Sequence, residues 1–286
     1  MILSVASGKG GTGKTTIAVS LALSSPVGIT LLDCDVEEPN SRLFLGSQDW
    51  QEEPVTVPVP VIDEALCTAC GECARFCEFK AIVHIGKTVM VFNDLCHSCG
   101  GCALVCPVQA IHEEDEAIGS LGYSSIPVRF IQGMLSVGKA MSPPVIRAVK
   151  RKATSDALSE LTIIDSPPGT SCPMCTAVSG SDATILVTEP TPFGLHDLDL
   201  AVKTVRAMKI PFGVVINRSD SGDDRVVQYC TREGIPVLMQ IPEDVRIAQG
   251  YARGVPLIES APEYRDAFAH LVTEIISGTC FTGGAL

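Results

Sequence analysis

One eight-residue segment constrains this chain more than any other. Gly8-Lys9-Gly10-Gly11-Thr12-Gly13-Lys14-Thr15 satisfies the pattern G-x4-G-K-[ST], between an apolar run at residues 2–5 and a helical pattern at 17–23. Such a loop works only between a strand and a helix. Its glycines let backbone N–H groups turn inward around phosphate oxygens, and the helix N-terminus adds its partial positive charge. Lys14 is expected to reach the β and γ phosphates and Thr15 to offer its hydroxyl to Mg2+. Gly8, Lys9, Gly10, Gly11, Thr12, Gly13 and Thr16 complete the segment expected to contact ATP or ADP.

Apolar runs like the first recur at 29–32, 161–164, 183–187, 212–216 and 237–241, and helical patterns follow at 198–208, 226–233, 244–253 and 263–276. Strand, helix, strand is the rhythm of a doubly wound sheet, so the class expected is α/β with a mostly parallel P-loop sheet. A length of 286 residues accommodates such a domain plus a small module. The net charge of −12 argues against affinity won by neutralising nucleic-acid phosphates. No stretch approaches the roughly 18 consecutive apolar residues of a membrane span, so neither nucleic acid nor membrane is an expected partner. Only 19% of residues are charged, which leaves room for a sizeable self-association surface. The first residues lead straight into a strand with no secretion signal, giving a cytoplasmic expectation, and residues 278–286 read as a frayed tail.

The rhythm breaks between about residues 54 and 116, where Pro54, Pro58 and Pro60 precede two cysteine runs separated by a short β-like piece at 88–92. Cys67, Cys70, Cys73 and Cys77 are followed by Cys96, Cys99, Cys102 and Cys106, each run spaced C-x2-C-x2-C-x3-C, so the two halves repeat at about 29 residues. Eight of the thirteen cysteines fall here, at ligand rather than disulfide spacing. Paired zinc sites fit poorly, because zinc motifs offer separated C-x2-C pairs rather than triple runs. The pattern matches the bacterial ferredoxin run, with Pro107 after the second and Glu78 in the proline position after the first. Two-cluster ferredoxins exchange their fourth ligands. One [4Fe-4S] cluster is therefore assigned to Cys67, Cys70, Cys73 and Cys106, the other to Cys96, Cys99, Cys102 and Cys77. The expected organisation is an ATPase domain at 1–58 and 117–286 with a ferredoxin-like α+β module inserted at 59–116.

Asp33 and Asp35 stand two apart at a strand end, on one side, and the apolar run at 161–164 ends in Asp165-Ser166-Pro167-Pro168-Gly169. With these residues in place, the loop's extra Lys9 resembles the deviant Walker A loop of the MinD/ParA/Mrp superfamily, whose relatives include the nitrogenase iron protein and cytosolic iron-sulfur carriers. The resemblance implies that Lys9 crosses a dimer interface to a partner's nucleotide, that Asp35 orients the attacking water, and that Asp33 organises the magnesium shell. It implies a water-mediated Mg2+ contact for Asp165, and nucleotide-base contacts for Asn217, Arg218 and Pro242. The partner would be a second copy or a related ATPase. Cys172 and Cys175 form a C-P-M-C beyond Asp165, which the family suggests as a shared cluster or labile metal site and plain packing suggests as idle thiols. Cys34, Cys230 and Cys280 are isolated and read as structural, and His97 as a surface histidine. The leading functional expectation is ATP-gated electron transfer through the two clusters to a redox partner. The alternative is assembly and delivery of an iron-sulfur or other metal cofactor to an acceptor protein. A third, MinD-like positioning of cell components, is disfavoured by a tail at 274–286 without a basic amphipathic helix.

Overall fold

The computed structural model describes residues 1–46, 49–155 and 159–281, so residues 282–286 of the expected frayed tail lie outside it. Eleven strands are present among these residues: β1 (Ile2–Ala6), β2 (Ile29–Asp33), β3 (Gln51–Ile62), β4 (Ile82–Ile85), β5 (Thr88–Val91), β6 (Ile111–Ser124), β7 (Arg129–Leu135), β8 (Leu161–Asp165), β9 (Ala183–Thr188), β10 (Phe212–Asn217) and β11 (Val237–Ile241). Nine form one sheet in the order β11-β10-β9-β1-β8-β2-β7-β6-β3. The seven from β11 to β7 run parallel, and β6 and β3 extend the edge antiparallel.

Helices cover both faces: α1 (Lys14–Ser24), α2 (Ser41–Leu45), α3 (Glu72–Phe76), α4 (Gly101–Leu104), α5 (Ser142–Ser155), α6 (Cys172–Val178), α7 (Pro192–Ala207), α8 (Arg225–Arg232), α9 (Val245–Tyr251), α10 (Leu257–Ser260) and α11 (Arg265–Ser277). Side chains alternate across a strand, and the core divides accordingly. Leu3, Val5, Leu31, Ile163 and Ile185 pack on the side of Ile17, Leu21, Phe268 and Leu271, from α1 and α11. Leu32 and Ile164 pack with Val145, Ile146 and Val149 of α5. Ala6 and Leu186 pack with α6, α7 and α8 through Met174, Val202 and Val226. Strands buried on both faces read as continuous apolar runs, which is why β1, β2 and β8 to β10 fall where the sequence pattern puts them, and the edge strand β11, half-buried, falls there too.

The segment around the cysteine runs extends the sheet instead of breaking it. β3 pairs with β6 along its length, from Gln51↔Tyr123 to Ile62↔Ile111. Residues 59–62 and 111–116, expected inside the module, are thus strands of a long ribbon joined to the main sheet. β3 is an edge strand, and Pro54, Pro58 and Pro60 share the parity at which an N–H can point away from the partner, so the missing donors break no ladder. Val55, Val57 and Val59, of the other parity, are buried against α5. At the end of the ribbon sits a small body, residues 63–110, with the β4–β5 hairpin, α3 and α4 around Cys73, Ile82, Cys102 and Ile111.

Candidate nucleotide site and cysteine cavities

The glycine-rich loop spans the gap between β1 and α1 at the carboxyl end of the sheet, and two of its glycines have steric reasons. A Cβ on Gly8 would stand 2.0 Å from the carbonyl oxygen of Asp197, and one on Gly13 would stand 2.5 Å from Asn217 Nδ2. Gly13 also takes φ 96° as the residue before α1. Asn217 Nδ2 donates to the Thr12 carbonyl at 2.9 Å, so the residue expected near the base bonds to the loop itself. Lys14 is buried at 6% exposure, and the Thr12 hydroxyl is buried without a partner. Thr16 lies in the first turn of α1, one residue beyond Thr15.

Parallel registers bring the acids together: Asp33 pairs with Asp165 across β2–β8, and Val5 with Asp165 across β1–β8. Asp33 accepts from the amides of Asp35, Asn40 and Ser41 at 3.0–3.1 Å, fixing the loop after β2. Thr15 Oγ1 donates to Asp165 Oδ2 at 2.6 Å, while Asp165 Oδ1 is buried with no hydrogen-bond partner. Desolvation pushes Asp165 up to about 8, with nearby Asp33 adding to it, and pushes Asp33 to about 6. Asp35 is raised to about 6, by burial and then by Asp33. Two hard oxygens, one of them an orphaned carboxylate oxygen beside a threonine hydroxyl, suit Mg2+. Asp35 opens onto a cleft of about 510 Å3, lined also by Glu37, Ser142, Pro167, Pro168 and Ser171.

Lys9 lies 3.5 Å from Glu189 Oε2, and Arg218 Nη1 lies 2.7 Å from Glu189 Oε1. Glu189, buried just past β9, escapes sequence reasoning: nothing but a carboxylate after an apolar run marks it, and its role depends on how β9 lies between β1 and β10. Arg218, expected near the base, is held by this carboxylate. Pro242 is exposed after β11, where Ser219 N–H donates to the Ile241 carbonyl (2.9 Å) and Glu243 N–H to Asp220 Oδ1 (2.6 Å), joining the loops that follow β10 and β11.

In the small body the repeat is visible in the backbone. Ala69 and Ser98 take φ 53° and 54°, Gly71 and Gly100 φ 75° and 70°, and Lys80 and Gln109 φ 56° and 52°, each pair at the spacing of the repeat. Two cavities result. Cys67, Cys70, Cys73 and Cys106 line one. Cys77, Cys96, Cys99 and Cys102 line the other, with Glu113 and an exposed His97 whose ring stacks on Phe79 at 3.5 Å. Among the described residues no three His, Cys, Asp or Glu side chains converge as closely as a single metal ion needs. Four sulfurs spread around a cavity match the wider donor set of an iron-sulfur cube, and soft thiolates suit iron and sulfide. Burial raises the thiols of Cys73 and Cys96, and that of Cys102 to about 11, so a bound metal is what would hold them as thiolates.

Cys172 and Cys175 lie in the first turn of α6, Cys172 exposed and Cys175 half-buried with Sγ 3.9 Å from the Thr170 carbonyl. Cys34 and Cys230 are buried. No helix among the described residues is long and apolar enough to cross a membrane.

A phosphate loop between strand and helix, a buried acid against its threonine, and a parallel sheet ordered around them define a P-loop nucleotide-binding protein. The model of the CobQ/CobB/MinD/ParA nucleotide binding domain matches residues 3–257, and the chain belongs to that family of P-loop ATPases. It is 32% identical to an uncharacterized protein of Methanocaldococcus jannaschii, over 96% of both chains. It is 25% identical to the iron-sulfur cluster carrier protein of Pyrococcus horikoshii, over 96% of this chain and 85% of the relative. Its fold is similar to that of the septum site-determining protein MinD of Pyrococcus horikoshii, solved with Mg-ADP, with TM-score 0.55 and 21% identity over 96% of this chain and 95% of the other.

Proposed function

We propose that this protein is an ATP-hydrolysing carrier that assembles or delivers an iron-sulfur or related metal cofactor, with Cys172 and Cys175 as the thiols that hold the cargo. The observation that carries this reading is where those thiols sit. They open α6 directly after residues 165–171, a segment tied to the phosphate loop through the Gly169 N–H to the Ser7 carbonyl (3.0 Å) and through Asp165 to Thr15. A change at the γ phosphate is therefore one short loop away from the cargo thiols. Two thiols make half of a four-thiol site, so a second chain would complete it. The similarity to iron-sulfur carrier proteins supports the same reading.

In turnover, Lys14 and the loop amides neutralise phosphate charge, Thr15 and Asp165 hold Mg2+, and Asp35 orients the attacking water. Lys9 leaves Glu189 to meet the nucleotide of a second chain, tying hydrolysis to association. The two cysteine cavities are the proposed seats of two resident [4Fe-4S] clusters, which supply one-electron chemistry when bound. That pair of cavities also favours the second reading, ATP-gated electron transfer to a redox partner.

Anaerobic iron and sulfide analysis of the wild type and of Cys172→Ala/Cys175→Ala, each with and without Mg-ATP, separates the two. Iron beyond the roughly eight atoms of two [4Fe-4S] clusters, lost in the variant and passed by the wild type to an apo-acceptor, is expected of a carrier. Iron that is equal in both proteins, with reducible clusters and no transfer, refutes the carrier reading and leaves electron transfer.

A further inference from the structure

The nucleotide cleft and the cavity lined by Cys96 are joined by one short loop, residues 135–142, whose two chain ends are fastened at the cleft and whose middle is fastened to the cysteine body. At the cleft end, the Leu135 N–H donates to the Val36 carbonyl at 2.8 Å, and Ser142 Oγ donates to Glu37 Oε1 at 2.5 Å. Val36 and Glu37 immediately follow Asp35, and Ser142 itself lines the cleft. The packing behind this contact has no slack: a Cβ on Gly133 would meet Val36 at 2.7 Å and Val149 at 2.8 Å. At the tip, Lys139 Nζ donates to Asp94 Oδ1 at 2.7 Å and also pairs with Glu116. Asp94 lies in the 3-10 turn Asn93–Leu95, and Asn93 Nδ2 donates to the other oxygen of Glu116 at 2.5 Å. Cys96 ends that turn and donates its N–H to the Asn93 carbonyl at 2.9 Å. Between base and tip, the Lys139 N–H bonds to the Ser136 carbonyl at 3.0 Å, and the Ser136 N–H to Ile118 on the ribbon at 2.9 Å.

We propose that residues 135–142 are a strut that couples the nucleotide-facing segment 35–38 to the cysteine body, with Ser142 at its base and Lys139 at its tip as the positioning residues. An exposed ion pair on its own contributes little. Here a single half-buried ammonium is shared by two carboxylates on different pieces of chain, the Cys96 turn and the ribbon, so its effect is geometric: it sets where the turn sits relative to α5. Movement of residues 35–38 on nucleotide binding pulls on Leu135 and Ser142, and Lys139 transmits the shift to Asp94 and the backbone that carries Cys96. Linkage makes the coupling reciprocal, so the state of the cysteine body alters nucleotide affinity by the same factor. The inference rests on the nucleotide-binding part of the proposed function and not on the cargo.

The test is hydrogen–deuterium exchange of the full chain, purified anaerobically, with and without Mg-ADP or a non-hydrolysable Mg-ATP analogue, for wild type, Lys139→Met and Lys139→Arg. In the wild type, nucleotide should change exchange in peptides covering 8–16 and 35–40 and also in the peptide covering 93–101. Lys139→Met should lose the response at 93–101 and keep that at 8–16 with nucleotide affinity within about threefold, and Lys139→Arg should restore it. Because Lys139→Met leaves Glu116 without its cation, Lys139→Met/Glu116→Gln is run beside it and should behave alike. A wild-type response confined to 8–16 and 35–40 overturns the strut, as does a full response at 93–101 in both methionine variants. No response at 8–16 in the wild type removes the nucleotide reading itself, and the strut with it.

Discussion

Asp165→Asn should stabilise the nucleotide-free protein, and by more as the pH rises. Asp165 is fully buried, its Oδ1 has no partner and Asp33 is its neighbour in register, so its ionisation moves from an ordinary 3.8 to about 8. A carboxyl raised in the folded state binds its proton more tightly than in the unfolded chain. Stability is therefore unaffected below about 4, falls as the pH rises towards 8, and levels off above that. At about 1.4 kcal/mol per tenfold change in proton concentration, holding this group neutral at pH 7 costs on the order of 4 kcal/mol. Asparagine never ionises and still offers Thr15 an acceptor, but it buries an amide with no new partner, a cost of about 1–3 kcal/mol. The two effects nearly cancel at pH 5 and leave a net gain of about 1–3 kcal/mol at pH 7, or several degrees in Tm. Thermal and urea unfolding of both proteins between pH 5 and 8, without Mg2+ or nucleotide, measures this. A stability difference that stays constant across that range refutes the argument. So does a variant whose disadvantage grows with pH.

Gly8→Ala should destabilise the chain by about 1–3 kcal/mol and abolish binding of a fluorescent nucleotide, because its Cβ meets backbone at 2.0 Å, whereas Gly10→Ala, with nothing within 4 Å, should cost under about 0.5 kcal/mol in urea unfolding. Cys77→Ser should remove about half of the iron, and adding Cys96→Ala should remove no more while adding Cys67→Ala empties both cavities; the opposite pattern in iron analysis would mean that each run holds its own cluster. Lys9→Ala should lower ATP turnover of the associated protein by roughly 100-fold or more with nucleotide affinity changed less than about threefold, as judged by steady-state rates beside equilibrium binding.

What the sequence made legible follows from how each element is buried. Five strands of the sheet, β1, β2, β8, β9 and β10, are buried on both faces and announce themselves as apolar runs, and the half-buried edge strand β11 is apolar enough to do the same. β3, β6 and β7 do not: β3 carries three prolines, β6 follows Ile111 with His112-Glu113-Glu114-Asp115-Glu116 on an open ribbon, and β7 is interrupted by Gln132 and Gly133. An edge ribbon needs only one buried face, and its polar half reads as loop. α5 went unseen for a related reason, since Pro143 and Pro144 at its start look like a turn until the helix is seen to begin there. The phosphate loop and the cysteine runs were legible because their chemistry fixes spacing within a few residues. Contacts that depend on strand order were not. Glu189 meets Lys9 and Arg218 only because β9 lies between β1 and β10, and Lys139 reaches Asp94 only because the ribbon folds back along β7.

The acids sit where burial makes their ionisation costly. Asp33 spends its oxygens on three loop amides, and its own charge beside Asp165 disfavours ionisation there by more than the buried Lys14 favours it. Without a cation, the site relieves itself only by keeping protons. Mg-nucleotide held at Thr15 and Asp165 would need the carboxylate ionised, so its binding should release protons and should strengthen with pH in the range where Asp165 titrates. The free energy recovered at Asp165 is released beside the two segments that lead outward, residues 35–38 towards the strut and residues 166–171 towards Cys172. Ligand binding can shift a conformational balance only by its differential affinity for the two states. A buried carboxylate with one unpartnered oxygen at the root of both segments supplies that difference, because its charged form is favoured beside a cation and disfavoured without one.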